Sequence, residues 1–270
     1  MSIDLFKSTT VLITGASSGI GEAFARSLSR RGANLILTAR SADKLALLAN
    51  ELKEKHHIAV HVFPADISRP ESARQLFDHI KASGLSVDVL INNAGFGKWA
   101  HFLDESIETY EQMLSVNINA LVKLTHLCAP EMIERRKGGI INVASTAAVQ
   151  PVPYIATYSA SKAFVLSFTE ALAGEYLDTG VRFMALCPGN TATNFAAVAN
   201  AKTDDLPEAT AEEVAEAALT AFAKGRSYYV PGLMNYLTTF LPRILTRAQV
   251  IKIVAGMFKN KVRVAPISVA

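Results

Sequence analysis

Seven short apolar runs, at 10–13, 34–37, 59–62, 87–91, 139–143, 181–186 and 227–230, recur along the first 230 residues. Most are rich in Val, Ile and Leu, as strands covered on both faces are. Between them lie longer stretches with helical spacing, such as 20–31, closed by Gly32, and 211–224, closed by Gly225. Gly just past a helical pattern is a stop signal of the left-handed capping kind. Runs and helical stretches alternate at βαβ intervals, which predicts a doubly wound α/β fold: a mainly parallel, seven-stranded sheet with helices on both faces. After Val230 the pattern changes at Pro231-Gly232 to a partly amphipathic helical tail. The expectation is one domain over 1–270, with a core at 1–230 and a tail at 231–270 acting as substrate lid or interface.

Composition narrows the class. Of 270 residues half are hydrophobic and 19% charged, enough to bury a sizeable core and too apolar for disorder. The net charge of +3 comes without a dense Lys/Arg run, so nucleic acid is not an expected partner. Asp4 interrupts the first residues, and no long uncharged apolar run follows, which disfavours a signal peptide and a transmembrane segment. Cys128 and Cys187 form no CxxC pair and read as small buried hydrophobes in a reducing compartment, so the cytoplasm is expected. Six histidines have no H-E-x-x-H or carboxylate cluster beside them, and no metal is expected.

The first strand runs into Thr14-Gly15-Ala16-Ser17-Ser18-Gly19-Ile20-Gly21 and then a helix. Exposed amides at such a helix start suit a dinucleotide pyrophosphate, and glycines permit its close approach. At this glycine content three glycines at one fixed spacing arise by chance about 0.05 times. Gly15-Ala16-Ser17-Ser18-Gly19 also matches the G-x-S-x-G elbow of hydrolases, but no His follows His126 to complete a triad. After the second strand, Ala39-Arg40 offers no carboxylate to a ribose 2′-OH. Arg40 can instead give a planar fork to a 2′-phosphate, so NADP(H) is expected over NAD(H); a solvated loop charge is the alternative.

Tyr158 and Lys162 are four apart and share a helix face. Such a pair arises by chance about 0.36 times in this composition, so context decides its meaning. An ammonium about 4 Å from the phenol would lower the tyrosine from about 10 to near 7, where it could exchange a proton with a carbonyl or alcohol. Ser145 falls at the carboxyl end of a central strand, where it could hydrogen-bond a carbonyl oxygen as charge develops.

Together these residues resemble the short-chain dehydrogenase/reductase family, in its compact single-domain, Rossmann-fold branch. The likeness rests on TGASSGIG at 14–21, Asp66, Asn92-Asn93-Ala94-Gly95, Asn117, Ser145, Tyr158 with Lys162, and Pro188-Gly189 with Thr191 and Thr193, and spans 11–193. Singly, most of these read equally well as turn or capping residues. The resemblance implies a tetrad: Asn117 in a water-holding relay, Ser145 orienting substrate, Tyr158 as acid/base, and Lys162 binding ribose and lowering the tyrosine. It implies cofactor contacts from Gly15, Ser17, Ser18, Gly19, Ile20, Gly21, Arg40, Asp66 (adenine), Asn93, Ala94, Gly95, Tyr158, Lys162, Pro188, Gly189, Thr191 and Thr193. The implied reaction is hydride transfer between a nicotinamide and a ketone or secondary alcohol.

The loops 96–99, 149–155 and 194–195 are apolar, which favours a small hydrophobic carbonyl or alcohol substrate. Within the family the chain is similar to bacterial reductases of unassigned substrate and, more distantly, to steroid and long-chain 3-ketoacyl reductases. A homodimer or homotetramer is expected from the resemblance, with 158–176 as one candidate surface. The tail could cover the pocket, join an interface or touch lipid. Two other readings stay open: an NADP(H)-binding sensor or scaffold without chemistry, and a dehydratase or epimerase with tightly held NAD.

Overall fold

The computed structural model describes residues 5–202 and 208–262. Met1–Asp4 and the last eight residues of the expected tail lie outside the described residues. Among the described residues nine strands occur: β1 Thr10–Thr14, β2 Asn34–Thr38, β3 Val60–Val62, β4 Val89–Asn92, β5 Gly138–Val143, β6 Val181–Leu186, β7 Thr191–Ala192, β8 Ala209–Thr210 and β9 Tyr228–Tyr229. Seven form one sheet in the order β3-β2-β1-β4-β5-β6-β9, parallel throughout. All seven apolar runs therefore become strands of the expected sheet. Their ends shift for local reasons: Asp88 accepts the Thr10 amide through its carboxylate at 2.9 Å, so β4 starts at Val89 rather than Val87. β7 and β8 pair with each other in a small second sheet that two-residue strands do not announce in sequence.

Neighbouring residues of each strand face opposite layers. Val11, Ile13, Leu35, Leu37, Val89, Ile91, Ile141 and Val143 pack against α1 (Gly19–Arg30), α2 (Ala42–His56) and α8 (Ala211–Ala223). Leu12, Ile36, Leu90, Ile140 and Phe183 pack against α3 (Ser72–Ala82), α5 (Leu121–Glu134) and the end of α6 (Ala156–Glu175). Phe222 of α8 is almost wholly buried and stacks on Phe6, ring centres 6.1 Å apart. The stretches closed by Gly32 and Gly225 end as helices at Arg30 and Ala223.

A buried polar chain crosses the second layer. Asn92 Nδ2 donates to Thr125 Oγ1 at 3.1 Å and to Asn142 Oδ1 at 2.9 Å, and Asn142 Nδ2 donates to Thr169 Oγ1 at 2.9 Å. These bonds fix β4 and β5 against α5 and α6, where both helices deliver side chains to the cleft. Before α5 come α4 (Ile107–Leu114) and a π-helical turn, Ser115–Ala120. After β7 and β8 come, respectively, α7 (Phe195–Val198) and α8. The tail forms α9 (Leu233–Thr238), α10 (Leu241–Ile244) and α11 (Arg247–Phe258). A capping box opens α11: Thr246 accepts the Gln249 amide, and Gln249 Oε1 accepts the Thr246 amide.

Candidate active site

The carboxyl ends of β1, β4, β5 and β6 meet at one cleft. On its β1 side the glycine-rich turn is locked to β4. Asn93 Nδ2 donates to the Thr14 and Gly15 carbonyls at 3.0 and 3.3 Å, and Thr14 Oγ1 accepts the Asn93 and Ala94 amides at 3.0 and 2.9 Å. Gly21 is buried so tightly that a Cβ there would run into the Gly15 carbonyl and lie 2.5 Å from Asn93 Nδ2. Ser18 precedes α1 without capping its amides by its side chain. The helix start thus keeps the donors and partial positive charge that an anion needs. Ile20, partly buried, packs against the core beneath this turn, while Ser17 lies on it.

Farther out, Arg40 is exposed and forms no ion pair within 4 Å among the described residues. Asp66 stands close enough to feel its charge. The Asp66 carboxyl is held below its ordinary range first by the Ser68 hydroxyl, which donates to it at 2.7 Å, with Arg40 adding to the effect. Across the cleft Pro188 accepts the Thr146 amide at 2.9 Å. Thr191 Oγ1 donates to the Gly189 carbonyl at 3.1 Å, and Thr193 approaches Gly19, its Cγ2 3.0 Å from where a Cβ would stand. The Asn190 side-chain nitrogen is buried without a partner in this loop. An uncapped helix start and an orphaned amide donor on one cleft suit a dinucleotide with a polar head group.

At the β5 end four side chains gather. Lys162 and Tyr158 leave one face of α6, buried to 4% and 8% exposure. Ser145 caps the turn after β5, accepting the Ala147 amide at 3.1 Å, and its hydroxyl stands near enough to the Tyr158 phenol to favour its charged form. Asn117 sits in the π-helical turn, clamps both backbone groups of Phe96, and donates to Ser161 Oγ at 3.0 Å; Ser161 in turn donates to the Tyr158 carbonyl at 2.7 Å. A Cβ at the exposed Gly95 would lie 2.9 Å from Asn117 Oδ1 and 3.4 Å from Lys162 Nζ, so both polar groups border one small space.

The tyrosine expected near 7 from its spacing to lysine is not found. Lys162 Nζ donates to the Val143 carbonyl at 2.7 Å and lies 5.8 Å from the Tyr158 ring centre. Burial pushes the phenol up to about 12, against the opposing influence of Ser145, and draws the lysine down to about 8. Sharing a helix face brings the pair near each other, but the strand carbonyl captures the ammonium.

Beyond the tyrosine the cleft is apolar. Trp99 packs on Tyr158, Phe195 and Phe258, and Phe195 also packs on Tyr158, with ring-centre distances of 5.4–6.5 Å. Val250 and Val254 of α11 join this cluster. The loops expected beside the site supply Phe96, Trp99, Val152, Ile155 and Phe195. The α11 residues were not foreseen, nor was Asn235 of α9, whose amide lies 2.6 Å from where a Cβ on Gly189 would stand. Their signal was the capping box at Thr246 and the spacing Val250–Val254–Phe258. Both thiols are buried and pushed up to about 12 by desolvation. Among the described residues no group of three metal-ligating side chains occurs, and no helix is long and apolar enough to cross a membrane.

Known proteins share this arrangement. The short chain dehydrogenase family model matches residues 9–204. The very-long-chain 3-oxoacyl-CoA reductase of Mus musculus is 31% identical over 255 residues, covering 92% of this chain and 79% of that protein. A short-chain dehydrogenase from Sphingobium yanoikuyae, solved with NADPH, superposes with a TM-score of 0.79 at 30% identity, covering 89% of this chain and 98% of the other. One from Burkholderia phymatum, solved with NAD, gives 0.81 at 26% identity, covering 91% and 96%. With the sheet order, the glycine turn and these likenesses in agreement, the chain belongs to the short-chain dehydrogenase/reductase family and is a nicotinamide-dependent oxidoreductase.

Proposed function

We propose that the protein interconverts a hydrophobic ketone and its secondary alcohol, using NADP(H) in preference to NAD(H). The observation that carries this reading is Tyr158: a buried phenol facing the Ser145 hydroxyl at the end of an apolar cleft. The nicotinamide supplies or accepts the hydride. Ser145 can hydrogen-bond the carbonyl oxygen as charge develops there, and Tyr158 can give that oxygen a proton. With its pKa raised, Tyr158 carries its proton throughout the neutral range, the state in which it can donate to a carbonyl oxygen. Lys162 holds positive charge beneath the phenol and lies beside Gly95, where it can also bind a sugar hydroxyl. Asn117 positions the Phe96 backbone and, through Ser161, the first turn of α6.

Gly15, Ser17, Ser18, Gly19, Ile20 and Gly21 would hold the pyrophosphate, Arg40 a 2′-phosphate and Asp66 the adenine. Asn93, Ala94, Gly95 and Lys162 would face the ribose, and Pro188, Gly189, Thr191 and Thr193 the nicotinamide. The relative named for 3-oxoacyl-CoA reduction supports a keto group set in hydrocarbon. Cytoplasmic residence and self-association through α6, where Phe164 and Phe168 stack on its surface, belong to the same proposal.

The test follows NADPH oxidation with bulky ketones, diketones and 3-oxoacyl thioesters. Tyr158→Phe should lower kcat by about 10²–10⁴ while leaving NADPH binding intact; equal turnover in the variant would sink the assignment. The rival reading, a sensor without chemistry, would show NADPH binding and no turnover in either protein. Arg40→Ala should weaken NADPH about 10–100-fold and leave NADH unchanged, the loss of a charge-assisted hydrogen bond. An unaltered NADPH/NADH ratio would overturn the cofactor preference.

A further inference from the structure

The charge of this chain is unevenly distributed. All 24 acidic residues lie at or before Glu216, whereas eight of the 27 Lys and Arg follow it. The C-terminal fifth is therefore purely cationic, and the rest of the chain carries net negative charge. The same region is unusually apolar at its surface. Nine of the seventeen exposed large hydrophobic residues among the described residues fall in α9, α10 and α11. Leu233, Met234 and Leu237 project from α9, and Leu241 and Ile244 from α10, with exposures between 47% and 78%. Arg243 and Arg247 stand exposed within and beside this rim, and Lys252 on α11 is exposed as well. The inner side of α11 meanwhile buries Val250 and Val254 against the cluster around Tyr158.

We infer that α9, α10 and the outer side of α11 form a docking surface for an anionic lipid bilayer. Aliphatic side chains on short helices that carry arginine and lysine and no carboxylate of their own match the composition of interfacial anchors. A bilayer with acidic headgroups supplies both the hydrocarbon and the negative charge this surface lacks. A second copy of the chain fits less well. Twofold contact through these helices would set cations against cations, since none of the three carries an acid of its own. Nucleic acid would leave the aliphatic rim in water. The inference does not depend on which ketone is reduced.

The full-length protein is floated with vesicles of phosphatidylcholine alone and of phosphatidylcholine with phosphatidylglycerol. Binding is expected to the acidic vesicles and to fall with added salt. Arg243→Gln with Arg247→Gln should weaken it about 25-fold, roughly five-fold per cation removed. Leu237→Glu with Ile244→Glu should abolish it, while all variants keep the wild-type melting temperature and NADPH binding. Protein that fails to float with acidic vesicles, or variants that float like wild type, would overturn the inference. So would a smaller sedimenting mass for Ile244→Glu with vesicle binding unchanged, which would give the rim to a second copy.

Discussion

The two sides of the cleft are held by different forces. On the cofactor side the chain itself is the structure: Thr14, Gly15, Asn93 and Ala94 are tied by backbone groups and short polar side chains at 2.9–3.3 Å, and Gly21 packs against them without room for a Cβ. On the substrate side large rings and branched aliphatics from four separate segments fill the space, with Trp99, Phe195, Val254 and Phe258 brought together from residues far apart in sequence. Hydrogen-bonded turns tolerate almost no change of shape, while an apolar cluster can repack around a change of volume. A reductase family can therefore keep one cofactor and vary its substrates.

That contrast is sharpest at Gly21. Gly21→Ala should cost about 3–5 kcal/mol and abolish NADPH binding, since its methyl would collide with a carbonyl that cannot move. Denaturant unfolding and cofactor titration check it, and a stable, cofactor-binding variant would mean the turn is softer than its packing implies.

Lys162 and Tyr158 sit on the boundary between the two sides, and pH addresses them. The folded lysine titrates near 8, below its ordinary 10.5, so the unfolded chain binds the extra proton and stability rises as pH climbs from about 8. The tyrosine is raised from 10.0 to about 12, so above pH 10 it works in the opposite sense and stability falls. Unfolding free energy should grow by up to about 3 kcal/mol between pH 8 and 10. Lys162→Met should flatten that rise, and a wild-type-like slope in the variant would assign it to other groups.

The smallest effect belongs to the apolar side. Phe195→Ala should lower stability by only about 2 kcal/mol, because the ring is partly exposed and its neighbours can close in. Activity should move toward bulkier ketones, read as kcat/KM across a homologous series. An unchanged series would exclude Phe195 from the substrate wall.

What the sequence disclosed follows the same division. The sheet and the glycine turn were legible because strand burial and turn geometry are written in adjacent residues, as at 10–21 and 89–95. The spacing of Tyr158 and Lys162 was legible too, but not their protonation, which depends on how deeply the folded chain buries them. The tail was legible as a lid or interface, but which α11 residues face the site was hidden, because its inner face has meaning only against Trp99 and Tyr158. Asn235 was hidden for the same reason, since nothing near it in sequence points to Gly189. The pairing of β7 with β8 joins two-residue segments, too short for any periodicity to show.

The cluster around Tyr158 also contains the protein's single tryptophan. Trp99 is 7% exposed, its indole nitrogen is buried without a hydrogen-bond partner, and its ring contacts α11 through Phe258. Its emission therefore comes from one dry place, at the junction of tyrosine, substrate wall and tail. Any event that wets the cleft, fills it or lifts α11 should shift the colour or intensity of that emission. The native chain thus carries its own optical reporter, able to follow ligand entry and tail displacement in real time without a label.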